Sequence, residues 1–166
     1  MSNKKTYTKI NETGCCPKPN VKAWDESSVT WKNKKFIKDH TFSFFHIPLN
    51  MGFVMKRMWK KVSKAKASPP IEEFLLLSYD PSAWRGEHFM SVTKHVPNAE
   101  NVTISGTFLT KVFEGPYKEA KNWVKATEDY VKSKGKKLKK LYFFYTTCPK
   151  CAKHYGKNYV VALAQV

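Results

Sequence analysis

The sequence predicts an α+β fold: a duplicated βαββ repeat, in which an antiparallel sheet carries two main helices and the copies are related by a pseudo-twofold axis. Three observations carry this. Stretches of period-two alternation are interrupted by two stretches of helical period. The order strand, helix, strand, strand occurs twice. Landmarks also recur, with Thr41-Phe42 aligning on Thr107-Phe108 and "FLLLSYD" near "KLYFFYT". Residue identity between the copies is slight, so the match lies in the pattern.

Each element has its own reason. "HTFSFFHIPL" alternates and is rich in β-formers, so 40–49 reads as a strand. Asn50 is a fair cap, and Met51, Met55, Met58 and Val62 recur at helical spacing, with lysines opposite, over 50–67. "SPP" stops that helix. Short strands follow over 73–80 and 88–96, separated by the turn "PSAWRGE". The second copy opens with a strand over 102–114. Pro116 suits a first helical position, Gly135 a C-terminal stop, and Ala120, Trp123, Val124, Thr127 and Val131 form an apolar stripe between them. "KKLYFFYTT" reads as a strand, "CPKCAKHYGKN" as a loop and "YVVALAQV" as the last strand.

Residues 1–35 read as an N-terminal arm, polar and broken by Pro and Gly, with Trp24 and Trp31 available to pin it. Residues 36–166 read as a single domain of two repeats, about 36–97 and 101–166. No apolar run suits a bilayer crossing or a secretory signal, so the expectation is a cytoplasmic protein without a membrane partner. The length suits one domain, and monomer and dimer both remain open. Lys and Arg number 30 against 13 Asp and Glu, a formal charge of +17. Such a field attracts anions, nucleic acid among them. The lysines nevertheless fall on predicted helices and loops, no base-reading motif accompanies them, and "KSKGKKLKK" reads as a helix end followed by a strand entry. A solvated basic face is favoured over a nucleic-acid footprint. A basic protein that binds nucleic acid or a protein partner without catalysis is the alternative function.

The strand-to-helix junction "FEGPY", with Gly115, Pro116 and Tyr117, combines with the doubled βαββ order to resemble the GyrI-like small-molecule-binding family, also called the effector-binding-domain fold, over roughly 36–166. "SFFHIPLNMG", "SGTFLTKVFEGPY" and "YFFYTTCPKCAKHYGKNYVV" resemble a stand-alone bacterial branch labelled as hydrolase. The resemblance implies an aromatic-lined cleft between the repeats that holds flat or cationic organic molecules. In one subfamily it implies a cyclopropanoid cyclopropyl hydrolase, which opens the strained ring of a DNA-alkylating xenobiotic. The chain shows no helix-turn-helix, which argues against a regulator. It also has no clear equivalent of the acidic residue that many members place before the final strand, which argues against cationic drugs.

Glu114 and Tyr117 are the candidate catalytic residues. Glu114 precedes a helix, where a carboxylate stays ionised and could orient water; a surface helix-entry acid is the plain alternative. Phe44, His46, Tyr79, Trp84, Phe89, Trp123 and Tyr145 are the candidate ligand-binding residues. Aromatic faces stack on planar ligands and attract cations, although for any single one core packing is the commoner case. His46, at a strand end, is a candidate base, against a structural histidine as the commoner case. No cofactor is required. Cys148 and Cys151 form a "CPKC" turn of zinc-knuckle spacing. Cys15 and Cys16, or one of them with His154, are the candidates to complete a structural zinc site. A redox pair is disfavoured, since the Cys-x-x-Cys opens no evident helix after a strand, and unpaired thiols stay open.

Overall fold

The computed structural model describes residues 5–166. It is a mixed α+β structure with antiparallel strand pairing. The chain divides into two compact units. One comprises residues 32–70 and 74–105; the other comprises residues up to Trp31, Ile71–Glu73 and Gly106–Val166.

The elements run α1 (Val21–Trp24), β1 (Ser27–Phe44), β2 (Ile47–Pro48), α2 (Met51–Lys64), β3 (Leu76–Ser82), β4 (Arg85–Ser91), β5 (Glu100–Glu114), α3 (Ala120–Ser133), β6 (Lys140–Tyr145), α4 (Pro149–Tyr155) and β7 (Tyr159–Gln165). A strand, a long helix and two strands occur in that order twice, with the two-residue β2 added in the first run and the short α4 in the second. Within the first unit β4 lies between β1 and β3, with Asp39 opposite His88 and Leu77 opposite Phe89. Within the second, β7 lies between β5 and β6, with Val112 opposite Val161 and Phe144 also opposite Val161. The last strand of each set is thus central, and β7 is accordingly the most apolar: residues 160–164 are all buried.

Both main helices bury one stripe. α2 sinks Val54, Met58 and Val62, and its Trp59 stacks on Phe74 with ring centroids 5.0 Å apart. Arg57 grips Asp39 on β1 through two bonds, Nε to Oδ2 at 2.8 Å and Nη2 to Oδ1 at 2.7 Å. α3 sinks Trp123, Thr127 and Val131.

The strands expected over 73–80 and 88–96 lie at Leu76–Ser82 and Arg85–Ser91, which narrows the expected turn between them, and three further boundaries differ from the sequence expectation. β1 begins at Ser27 rather than at His40, so the end of the predicted arm is strand. Its polar start is stapled to β5, with Thr30 Oγ1 3.0 Å from Thr107 Oγ1 and the Trp31 ring 4.7 Å from Phe108. Pro116 lies in extended backbone and opens a 3-10 turn over Tyr117–Glu119; α3 proper starts at Ala120. The "CPKC" segment is a helix, α4, not a loop. Pro149 opens it, and Gly156, at φ +71°, closes it in the left-handed conformation glycine favours.

Candidate functional site

The sequence-predicted residues fall into two groups, one in each unit. In the unit holding β5–β7, β5 ends at Glu114 and the chain turns at Gly115, whose φ of +140° suits glycine alone. A reciprocal clasp fixes this turn. Gly115 N–H donates to Asn158 O at 3.1 Å, and Asn158 Nδ2 donates to Gly115 O at 2.8 Å. The turn delivers Tyr117, 42% exposed, against Tyr145 on β6 at 5.8 Å between centroids. Rings then follow one another inward: Tyr145 to Phe143 at 6.5 Å, Phe143 to Trp123 at 6.4 Å, and Trp123 to Phe113 at 5.9 Å. Trp123 is buried, so this ledge of rings is anchored in the core at one end and open at the other. Glu114 ends β5, half-exposed, with a carboxylate oxygen 3.6 Å from Lys157 Nζ.

In the other unit, β1 runs out into a short hairpin with β2, where Phe45 and His46 both take positive φ. Phe44, Phe45 and Trp84 pack edge to face and tilted, at 4.8, 5.6 and 5.2 Å. All three are more than half exposed. His46 Nδ1 lies 3.5 Å from Asp80 Oδ2. Burial raises the Asp80 carboxyl above its ordinary range, against the pull of His46. Of the remaining predicted residues, Phe89 is buried in the core, and Tyr79 sits on β3 opposite Glu87.

One polar residue escaped the sequence reading. His88 on β4 is buried with both ring nitrogens engaged: Nε2 is 3.0 Å from Thr41 Oγ1 and Nδ1 is 2.9 Å from Ser78 Oγ. Burial lowers its pKa to about 4, outweighing the nearby carboxylates of Asp39 and Glu87. It is therefore a neutral member of a satisfied network at ordinary pH, and a weak base. Gly86 lets the strands approach there: a Cβ at that position would sit 2.7 Å from Thr41 Oγ1 and 3.2 Å from His88 Nε2. The missed signal was a histidine on an inward-facing position of an alternating strand.

The cysteines come together. The sulfurs of Cys15, Cys16, Cys148 and Cys151 all lie within 4.8 Å of one another, and none is in a disulfide. These four could hold a metal ion. His154 is drawn elsewhere, with Nε2 3.2 Å from Glu12 Oε2. Close by, a cavity of about 330 Å³ opens between the arm and the last hairpin, with Thr8, Ile10, Lys18, Thr147, Tyr155 and Tyr159 among its walls. Both lysines at its rim are engaged, Lys18 with Glu12 at 2.7 Å and Lys157 with Glu114.

Among the described residues no helix is long and apolar enough to cross a membrane. The chain is similar in fold to an uncharacterized conserved protein from Listeria innocua, with a TM-score of 0.62 at 11% identity over 86% of this chain and 93% of that one. It is also similar to SAV2435, solved bound to tetraphenylphosphonium, with a TM-score of 0.51 at 10% identity over 84% and 92%. No curated protein sequence matches. The two structural likenesses show a shared fold. The model of the family described as "Bacterial hydrolase" matches residues 6–166, and the chain belongs to that family.

Proposed function

We propose that this protein binds a small planar aromatic molecule, a xenobiotic by class, on the ring ledge that ends at Tyr117 and Tyr145. The observation that carries this reading is the ledge itself: a half-exposed tyrosine pair backed by Phe143 and the buried Trp123. A ring held by a core residue is already ordered, so a ligand stacking on it loses little further conformational freedom. The likeness to SAV2435, which binds the aromatic cation tetraphenylphosphonium, supports a small-molecule role for this fold. The +17 charge of this chain argues for neutral or anionic ligands instead of cations. The four-cysteine cluster is assigned a structural role, and ligand binding does not pass through it.

The test is a titration of the full chain with planar aromatic compounds, neutral and charged, followed by tryptophan fluorescence and calorimetry. Binding that weakens up to about tenfold in Tyr117→Ala supports the reading, since one aromatic contact contributes about 0.5–1.5 kcal/mol. Absence of binding at about 1 mM ligand, or indifference to Tyr117→Ala, overturns it.

Hydrolysis of the bound molecule is a second reading, favoured by the place of Glu114 directly before the Gly115 turn that leads to Tyr117. In cyclopropyl ring opening, a water oxygen bonds to a ring carbon, the strained C–C bond breaks, and its electron pair takes up a proton. Glu114 accepts the proton that the water loses and passes it to solvent, which supplies the one that the electron pair takes up. Glu114→Gln would then keep binding and lose turnover. Equal turnover in the variant rejects the role.

A further inference from the structure

We infer that Cys15, Cys16, Cys148 and Cys151 form a closed tetrathiolate site for one zinc ion, which fastens the N-terminal arm to the hairpin of β6, α4 and β7. The inference is independent of the ligand-binding reading. Its first support is spacing. Four thiolates around zinc at about 2.3 Å define a tetrahedron with edges of about 3.8 Å. Cys15 and Cys16 Sγ are 3.6 Å apart. No separation within the set of four exceeds 4.8 Å, which a small side-chain rotation closes.

The second support is construction. Cysteines adjacent in sequence chelate awkwardly unless their backbone is bent to fit, and here it is. Gly14 takes φ +68°, and Thr13 Oγ1 accepts the N–H groups of both Cys15 and Cys16 at 3.2 Å. The same Thr13 oxygen is 3.3 Å from Cys151 Sγ. Cys148 directly precedes α4 and Cys151 lies in its first turn, so their i, i+3 spacing points both sulfurs to one side. Tyr155 OH donates to Cys16 O at 2.8 Å, and Tyr7 OH donates to Thr146 O at 2.7 Å. Both cysteine pairs are thus positioned by hydrogen bonds that owe nothing to a metal.

The third support is chemistry. A strand leading into a Cys-x-x-Cys helix also suits a dithiol redox centre, contrary to the sequence expectation that no helix opens there. Such a centre needs two cysteines, however, and has no use for a second pair brought from the opposite end of the chain. Four thiols in one place suit a soft divalent cation. Iron(II) has the same ligand preference, and zinc binds such sites more tightly. With four protein ligands no coordination position is left for water or substrate, which makes the site structural instead of catalytic. Part of the free energy of metal binding then becomes free energy of docking the arm.

The experiment uses the full chain purified under reducing, chelator-free conditions. Elemental analysis is expected to find about one zinc per chain, falling at least tenfold in Cys148→Ser. Thr13→Val, which leaves all four ligands, should weaken zinc binding about tenfold. If Cys148→Ser does not fold, cobalt titration of the reduced, metal-stripped native chain decides. Thiolate-to-cobalt charge-transfer bands with tetrahedral ligand-field bands, abolished by an equivalent of zinc, support the site. Absence of those bands, iron in place of zinc in the purified protein, or a mass showing disulfides instead of thiols overturns it.

Discussion

The two aromatic clusters look alike in the sequence and differ in what stands behind them. Tyr117 and Tyr145 lean on Phe143 and Trp123, and Trp123 is only 5% exposed, on a helix whose Thr127 and Val131 are also buried. Phe44, Phe45 and Trp84 pack on one another, all more than half exposed, and Trp84 is 55% exposed on a hairpin turn. The first set inherits order from the core. The second is apolar surface carried at the tip of a ribbon, where Phe42, Ile47 and Leu49 are exposed as well. Aromatic content alone therefore does not separate the two clusters; the connection to buried structure does, and the proposed ligand site rests on it.

Substitutions test that difference. Trp123→Ala should have the largest effect, lowering stability by about 3–5 kcal/mol in urea unfolding, because it removes a buried indole and leaves a void. A loss below about 1 kcal/mol would mean the ledge is not anchored in the core.

His88 should come next, as a pH effect within the other unit. Its folded pKa of about 4 lies below the unfolded value near 6.5. The unfolded chain therefore binds the proton first, and stability falls as pH drops from about 6.5 towards 4, by up to about 3 kcal/mol. Unfolding curves across that range should show the slope, and His88→Gln should flatten it. An unchanged slope in the variant would assign acid sensitivity elsewhere.

Arg57→Ala should cost about 1–3 kcal/mol. It leaves the Asp39 carboxylate, mostly shielded from water, without its two-pronged partner. Trp84→Ala should be the mildest, within about 0.5 kcal/mol in the same unfolding assay. Comparing it with Tyr117→Ala in ligand titrations sharpens the contrast: loss of affinity in Trp84→Ala as well would bring the ribbon tip into the binding surface.

Much of the fold was legible because burial leaves a periodic mark. Met58 and Val62, and Trp123, Thr127 and Val131, were read as core faces and are buried. Val54 was passed over in α2, while Met51 and Met55 are only half-buried. Where solvent receives both faces, the mark fades. The opening of β1, "SSVTWKNKK", carries lysines outward and buries only Val29 before Phe36, so it read as arm. α4 is too short to show a period, and its Pro149 and Gly156 signals were outweighed by the loop-like composition of the segment. The four cysteines could be counted and paired in the sequence; their convergence is a tertiary fact that spacing cannot supply. The alternation around His88 could have marked it as inward-facing, but its partners Thr41 and Ser78 come from two other strands and could not be read.

Gly86 carries a consequence of its own. The nearest atoms to a side chain there would be a hydroxyl on one neighbouring strand and an imidazole nitrogen on its own, with Asp80 Oδ1 a further 3.3 Å contact. Alanine would wedge the ribbon apart at the point where three hydrogen-bonding side chains meet. One carbon atom would turn a dry, neutral imidazole into one that water can reach, and would return its titration towards the value of the free amino acid.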